Sequence, residues 1–155
     1  VRYLKNPEAS ARKTAGGWLH MGDVGHLDAN GWLYFDYRIG GGIRRNGDFI
    51  NTAFIEKAIA EIDTVADVYV YGVPMAGMAP GEKEVVAAVV ATDPAWFDAQ
   101  AVFETCRAQL DANSVPRFLQ LVAEIPKTAS EKPQERFLLQ AFDTAAANIH
   151  TATPR

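Results

Sequence analysis

The spacing of apolar residues predicts an amphipathic helix that begins at residue 51 or 52. Asn51 or Thr52 is suited to cap it, because a side-chain oxygen there can accept a hydrogen bond from a free N–H group of the first turn. Ile55, Ile59 and Ile62 follow at i, i+4 and i+7, which places them on one face. We therefore expect this face to pack against a core.

Three segments with strand-like patterns follow this helix. Residues 67–73 alternate in polarity, and residues 84–91 form a continuous apolar run of strand length. Residues 117–122 form the third segment, and residues 75–81 are predicted to be a loop between the first two. The pattern thus predicts a sheet of about three strands.

Two further helices are predicted beside these strands. The first is expected to begin at Asp93-Pro94, and the second lies near the end of the chain. Their predicted apolar faces are Phe103, Cys106 and Leu110 in the first and Phe137, Leu138 and Ala141 in the second. Residues 145–155 are expected to be a frayed tail.

The first part of the chain has a different pattern. Residues 7–14 are predicted to form a short helix that ends at Gly16-Gly17. Asn30-Gly31 predicts a type I′ turn between two strands, residues 24–27 and 32–35, because both central residues of such a turn need positive φ. This part is therefore predicted to be a β-hairpin.

Gly40-Gly41-Gly42 separates the two regions. Three consecutive glycines allow the backbone to change direction easily, so we predict a joint between domains here. The region from residue 43 to residue 142 combines about three strands with two or three helices, and it is predicted to be an α+β or α/β domain.

The composition excludes several functional classes. A formal charge of −4 with no long run of one sign argues against nucleic-acid binding. Cys106 is the sole cysteine and the three histidines are scattered, so neither a disulfide nor a metal site is predicted. The single cysteine favours a reducing compartment, so we expect a cytoplasmic protein. No apolar stretch approaches the ~20 residues of a membrane helix, and no signal-peptide pattern opens the chain.

The segment "PKTASEKPQERF" places Lys132 between a turn and a predicted helix start. Thr128 and Ser130 supply hydroxyl groups, Glu131 is acidic, and Pro133 suits the first turn of a helix. An ordinary surface lysine is one interpretation of this pattern. A functional ammonium group at a positioned corner is the other.

Three segments, in order and at fitting separations, resemble the adenylate-forming superfamily of acyl-CoA synthetases, luciferases and peptide synthetase adenylation domains. They are "GWLHMGDVGHLDANGWLYF", "YRIGGGIRRNGDFINTAFIE" and "VPRFLQLVAEIPKTASEK". The resemblance implies an α+β chain with four parts. These are the tail of a large N-terminal domain (residues 1–37), a hinge (38–42), a small C-terminal lid domain (43–142) and a tail (143–155).

The resemblance also implies a reaction. Family members activate a carboxylate with ATP, release pyrophosphate, and pass the acyl group to CoA. Lys132 matches the lysine that supports adenylation, where a cation offsets the charge of the reacting anions. ATP and CoA are thus the expected cofactors, and Mg²⁺ is expected to bind outside this chain. The chain is expected to need its missing N-terminal domain as partner and to be inactive alone.

Other residues match further positions of the family. Asp23 and Arg38 match contacts to the ribose of ATP or AMP, although a turn-forming aspartate and a solvated arginine are the alternatives. Arg44, Arg45 and Gly47 match the loop that faces the active site during thioester formation. In that loop, arginines suit CoA phosphates and glycine allows a close approach of the backbone. A solvated basic pair is the alternative there.

The sequence departs from the family pattern at several positions. Met21 replaces a usual threonine, and Tyr37 falls at the expected hinge aspartate, with Asp36 one residue away. Glu131 and Pro133 flank Lys132 where glycine and isoleucine are common.

These departures leave two alternatives to a CoA ligase. One is a non-catalytic binding or assembly domain, and the other is an adenylating enzyme that hands its acyl group to a carrier protein or another acceptor.

Overall fold

The computed structural model describes residues 7–38 and 42–153, and the chain divides into two compact units between residues 42 and 43. The smaller unit contains helix α1 (Pro7–Lys13), a 3-10 turn, and a two-stranded antiparallel hairpin. The strands of this hairpin are β1 (Asp23–Leu27) and β2 (Leu33–Arg38). The short helix and the hairpin predicted for this region are both confirmed.

The turn of this hairpin is not the predicted type I′ turn at Asn30-Gly31. Gly31 has a φ of 83°, but Asn30 lies outside the left-handed region that such a turn requires at both positions. The carbonyl of Asp28 accepts a hydrogen bond from Gly31 N–H at 3.0 Å, and Asp28 Oδ1 accepts from the N–H groups of Asn30 and Trp32 at 2.9 Å each. This carboxylate stabilises an earlier reversal of the chain, which explains why the prediction was wrong.

The larger unit begins with a separate antiparallel hairpin of strands β3 (Ile43–Arg45) and β4 (Asp48–Ile50). The strands that follow are β5 (Val65–Val73), β6 (Glu84–Ala91), β7 (Phe118–Leu121) and β8 (Ile149–Thr151). They form one four-stranded sheet in the order β5-β6-β7-β8, in which β6 and β7 are parallel and the other pairs are antiparallel. The helices are α2 (Thr52–Ala60), α3 (Ala99–Gln109) and α4 (Glu135–Ala141). The α+β prediction is confirmed.

Two clusters of buried side chains lie on opposite faces of the sheet. Alternate residues of β6 belong to different clusters, because successive side chains of a strand point to opposite faces. Cluster one contains Val85, Ala87 and Val89 of β6, together with Ile43, Ile50, Ile55, Ile59, Val102, Phe103 and Cys106. Cluster two contains Val86 and Ala88 of β6, together with Tyr71, Phe118, Leu138 and Ile149. Strand β6 is thus covered on both faces, which accounts for its continuous apolar run.

The segment that we expected to be a frayed tail contains strand β8. Its register pairs Ile149 with Gln120 and His150 with Leu119, and Ile149 is only 9% exposed. The sheet therefore has four strands rather than about three. A strand of three residues is shorter than the patterns that identify strands in a sequence, so the prediction missed it.

Helix α3 begins later than predicted. Asp93 caps only a 3-10 turn at Pro94–Trp96, and α3 is capped by Asp98, whose Oδ1 accepts a hydrogen bond from Gln100 N–H at 2.9 Å. The sequence offers two aspartates that can cap a helix here, and the second, Asp98, determines where α3 begins. Leu110 then falls at the C-cap rather than on the helical face.

Candidate functional site

Lys132 lies in a closed turn immediately before α4. Lys127 and Pro133 form an antiparallel bridge across this turn, and Thr128 N–H donates to the Lys132 carbonyl at 2.9 Å. The N–H of Lys132 donates in return to Thr128 Oγ1 at 3.2 Å. The prediction that Pro133 lies in the first turn of a helix was wrong, because α4 begins at Glu135 and Pro133 belongs to the bridge. The backbone of Lys132 is therefore held on both sides.

The side chain of Lys132 is exposed to solvent. Within residues 7–38 and 42–153, its Nζ has no hydrogen-bond or ion-pair partner. A lysine ammonium carries three donors and a full charge. An ammonium without an internal partner, on a fixed backbone, is available to an anionic ligand.

Glu131 has the left-handed backbone conformation, with a φ of 60°. For a residue with a Cβ this region costs roughly 1–2 kcal/mol, whereas glycine adopts it freely. Glu131 N–H donates to the Thr128 carbonyl at 2.9 Å, so the conformation closes the turn. A glycine at position 131 would adopt this conformation without strain.

Lys127 connects the turn to the first part of β5. Its Nζ lies 2.7 Å from Asp67 Oδ2, and the two side chains are 34% and 41% exposed. The hydrogen bond to Asp67 raises the pKa of Lys127, and the charge of Glu131 adds to this effect. On the other side of the turn, Gln134 donates from its backbone to the Pro126 carbonyl at 2.7 Å and from Nε2 to the Lys127 carbonyl at 3.0 Å.

The β3–β4 hairpin contains Arg44, Arg45 and Gly47. Arg45 pairs with Asp48, so Asn46 and Gly47 form a two-residue loop with φ values of 51° and 85°. Positive φ at both central positions is the requirement of a type I′ turn. The turn expected at Asn30-Gly31 is therefore found at the second Asn-Gly pair of the chain.

The two arginines of this hairpin have different environments. Arg45 Nη1 donates to the carbonyls of Asn113 and Val115 at 3.0 and 2.7 Å, and its Nε lies 3.2 Å from Glu84 Oε2. Arg44 is exposed, and its side chain contacts no hydrogen-bond or ion-pair partner in the described part of the chain. Arg44 is thus free to bind a ligand, whereas Arg45 binds within its own domain.

The hairpin loop is also fixed to neighbouring segments. Asn113 Nδ2 donates to Asp48 Oδ2, and Asn113 Oδ1 accepts from Asn46 Nδ2 at 2.9 Å. Gly47 N–H donates to Glu82 Oε1 at 2.8 Å. Sequence analysis did not identify Asn113, Glu82 or Glu84, because each meets the hairpin across more than 30 residues of chain.

The hairpin and the Lys132 turn lie on opposite faces of the four-stranded sheet. Ile43 and Ile50 anchor the hairpin in cluster one. Leu138 anchors α4, directly after the turn, in cluster two. The turn also meets the Asp67 end of β5, whereas the hairpin meets Gly72 and Lys83 at the other end of the β5–β6 pair.

The other predicted site residues lie in the smaller unit. Asp23 and Arg38 are cross-strand partners in the register of β1 and β2, so these two positions lie opposite each other at one end of the hairpin. Tyr37 pairs with Val24, and the register shift that follows leaves Asp36 without a cross-strand partner, as the extra residue of a bulge. The central residues of the predicted hinge, 39–41, lie outside the described residues.

Residues 7–38 and 42–153 contain neither a metal-binding cluster nor a membrane-spanning helix. No group of three or more histidine, cysteine, aspartate or glutamate side chains in these ranges is arranged to hold a metal ion. In the same ranges no helix has the length and apolar character to cross a bilayer.

The sheet, the helices and the lysine turn together define an α+β domain of the adenylate-forming enzymes. The chain belongs to the AMP-binding enzyme C-terminal domain family, whose model matches residues 55–132. The match includes β5, β6, α3 and β7 and ends at Lys132 itself.

Individual relatives agree with this assignment. A probable CoA ligase of Humulus lupulus is 31% identical over 97% of this chain, and the oxalate–CoA ligase of Arabidopsis thaliana is 31% identical over 90%. The chain spans 27% of the length of each. Among solved structures, the amide bond synthetase of Marinactinospora thermotolerans is 31% identical, with a TM-score of 0.73 over 89% of this chain and 27% of its own. The O-succinylbenzoate CoA synthetase of Bacillus subtilis in complex with AMP is 27% identical, with a TM-score of 0.72 over 84% of this chain and 26% of its own.

Proposed function

We propose that the chain is the C-terminal part of an AMP-forming carboxylate–CoA ligase. In this proposal Lys132 supports adenylation, and the β3–β4 hairpin supports formation of the thioester. The whole enzyme converts carboxylate, ATP and CoA into acyl-CoA, AMP and pyrophosphate. The observation that carries the proposal is the exposed Lys132 side chain, which has no partner among the described residues although its backbone is held by hydrogen bonds.

The role of Lys132 follows from the charges that meet during adenylation. A carboxylate oxygen approaches the α-phosphate, so two anionic groups are brought together. A compact ammonium group near both offsets their repulsion without forming a covalent bond. Lys132 suits this role because its charge is not neutralised by an acidic side chain of the described ranges.

The role of the hairpin follows from the different environments of its two arginines. Arg44 is exposed and suits a phosphate of CoA, whereas Arg45 holds the hairpin to the α3–β7 connection. Gly47 has no side chain at the tip of the loop, and the space that a Cβ would take is open, so a ligand can approach its Cα closely. Its N–H already donates to Glu82 Oε1. The opposite positions of hairpin and turn support a mechanism in which rotation of the domain presents each in its own half-reaction.

The smaller unit supplies the proposed nucleotide contacts. Asp23 accepts hydrogen bonds from ribose hydroxyl groups, and Arg38, its cross-strand partner, contacts the same ribose. Asp36 and Tyr37 precede the proposed hinge. The remaining ATP contacts, the acyl pocket and the Mg²⁺ ligands belong to an N-terminal domain outside this chain, so the isolated chain is inactive in this proposal.

The test uses the full-length enzyme with Lys132→Ala. Adenylation, measured by pyrophosphate exchange, is expected to fall about 100-fold or more, which is the loss typical of a single preorganised charge-stabilising donor. Thioester formation from supplied acyl adenylate is expected to be unchanged, and Arg44→Ala should show the opposite selectivity. Lys57→Ala, which removes an exposed lysine from α2, is the matched control. Unchanged pyrophosphate exchange in Lys132→Ala would show that the role of Lys132 is wrong.

A second function is favoured by the similarity to an amide bond synthetase. In this alternative the enzyme makes the acyl adenylate and passes the acyl group to an amine or a carrier-bound thiol. Comparing CoA, a carrier protein and a simple amine as acceptors distinguishes it from a CoA ligase. The third alternative, a non-catalytic domain, is eliminated if the full-length protein releases AMP in a reaction that depends on both ATP and carboxylate.

A further inference from the structure

A row of three side chains on β5 faces the segment that carries Lys132. Asp67, Tyr69 and Tyr71 alternate along the strand, and their partners on β6 are Val90, Ala88 and Val86, so the three side chains share one face of the sheet. This is the face of cluster two, which also contains Leu138 of α4. The row therefore lies beneath the turn and the helix.

Two members of this row bind the chain on either side of Lys132. Asp67 Oδ2 accepts a hydrogen bond from Lys127 Nζ at 2.7 Å, five residues before Lys132. The Tyr69 hydroxyl donates to Glu135 Oε2 at 3.4 Å, three residues after Lys132. Burial raises the pKa of Tyr69 to about 12, so this hydroxyl stays protonated at neutral pH and remains a donor.

The internal hydrogen bonds of the turn do not set its orientation. They join residues 126–134 to one another, so they fix the shape of the turn but not its direction relative to the sheet. Gln134 is joined to α4 by bonds from Phe137 N–H and Arg136 Nη2. Within the described ranges, the bonds of Asp67 and Tyr69 are those that join residues 127–135 to a strand of the four-stranded sheet. Asp67 is itself oriented, because its Oδ1 accepts the Val68 N–H at 2.9 Å next to a register shift in β5.

We propose that Asp67 and Tyr69 are positioning residues for Lys132, which hold its turn in the orientation that adenylation requires. In this inference both residues act through the turn and not by contact with the substrate. This inference rests on the proposed function of Lys132. The inference explains why the segment that carries an exposed lysine is hydrogen-bonded to β5, an edge strand about 60 residues earlier in the chain.

The test measures the two half-reactions separately in the full-length enzyme. Asp67→Asn keeps the size of the side chain but removes the charge that orients Lys127. We expect pyrophosphate exchange to fall about 10-fold, because a displacement of about 1 Å at a reacting group can cost up to 100-fold. Tyr69→Phe should act in the same direction but more weakly, and the double variant more strongly than either. Thioester formation from supplied acyl adenylate should remain unchanged in all three.

A matched control separates positioning from stability. Asp98→Ala removes the cap of α3, has no contact with the turn, and lowers the stability of the domain at least as much as loss of an exposed ion pair. Both half-reactions should be unchanged in this variant. Reversal of the ion pair, with Asp67→Lys and Lys127→Asp together, should recover adenylation relative to either single change.

The outcomes separate this inference from the proposed function. If Asp67→Asn lowers both half-reactions in parallel with thermal stability, or leaves pyrophosphate exchange unchanged while Lys132→Ala abolishes it, Asp67 has no positioning role. If Lys132→Ala retains pyrophosphate exchange, the proposed function of Lys132 is wrong, and the positioning role that rests on it is wrong as well. Selective loss of adenylation in both Lys132→Ala and Asp67→Asn supports the two together.

Discussion

Arg45 Nε lies 3.2 Å from Glu84 Oε2, in an ion pair whose side chains are only 15% and 11% exposed. Arg117 Nη1 lies 3.0 Å from the other oxygen of the same carboxylate. Taking a carboxylate out of water is costly unless cations and hydrogen bonds replace the lost hydration. Glu84 therefore depends on both guanidinium groups, and Arg45 has a structural role in this domain.

The first prediction concerns the stability contributed by Arg45. Arg45→Ala leaves Glu84 with one cation instead of two and removes hydrogen bonds to two carbonyls, so the free energy of unfolding should fall by about 2–3 kcal/mol. Arg44→Ala, one residue away and exposed, should change it by less than about 0.5 kcal/mol. Urea denaturation of the 155-residue chain measures both. Equal losses of unfolding free energy in the two variants would contradict the structural role of Arg45.

The second prediction concerns a buried hydrogen bond in the middle of the sheet. The Tyr71 hydroxyl donates to Gln120 Oε1 at 2.7 Å, and the two residues are 1% and 0% exposed. Tyr71→Phe leaves a buried amide oxygen without this donor and should lower the free energy of unfolding by about 1–3 kcal/mol. Adding Gln120→Leu removes the unsatisfied acceptor and should recover part of this loss. The recovery should be incomplete, because Gln120 Nε2 also donates to the Leu138 carbonyl at 3.4 Å. A double-mutant cycle without coupling would show that the bond contributes nothing.

The third prediction concerns the backbone at Glu131, whose φ is 60°. Glu131→Gly removes the strain of a Cβ in the left-handed region, whereas Glu131→Ala retains it. Both remove the same charge. The glycine variant should be more stable than the alanine variant by about 1 kcal/mol in urea denaturation. Greater stability of the alanine variant would show that the turn does not require this conformation.

The fourth prediction concerns pH and Glu56. Burial raises the pKa of Glu56 above its ordinary value of 4.5, although a hydrogen bond from Val70 N–H opposes part of this effect. The folded state thus binds the proton more tightly than the unfolded state, so this stabilising contribution is present at low pH and lost as pH rises through the folded pKa. Glu56→Gln should therefore gain stability relative to the parent chain between pH 4 and pH 7, as measured by urea denaturation at both values. If the stability difference between Glu56→Gln and the parent chain is the same at pH 4 and pH 7, or is smaller at pH 7, the raised pKa of Glu56 does not affect stability.

The elements with strong apolar patterns were predictable from sequence. Strand β6 is covered on both faces, so its continuous apolar run identified it, and the Asn51 cap and isoleucine spacing identified α2. Strand β8 was missed because three residues do not produce a pattern. The type I′ turn was assigned to the wrong Asn-Gly pair, since local sequence does not show that the Asp28 carboxylate organises the first turn.

The candidate site was predictable as a set of residues but not as a set of contacts. The motif identified Lys132 and the arginines of the hairpin. It did not distinguish Arg44 from Arg45, because the difference depends on Glu84 and on carbonyls about 70 residues away along the chain. The link between Asp67 and Lys127 spans 60 residues and has no local signal either. Such pairings become visible only when the sheet brings the segments together.

Successive side chains of strand β6 belong alternately to cluster one and cluster two. The same strand therefore supports the packing of the hairpin on one face and of the helix that follows the lysine turn on the other. A larger residue at Ala87 would displace side chains of cluster one, which holds the hairpin, and a larger residue at Ala88 would displace side chains of cluster two, which holds α4. Neither segment can therefore be altered through this strand without disturbing buried packing. Substitutions in the two exposed reversals, at Asn46-Gly47 and at Glu131, avoid this constraint, because these residues lie outside both clusters.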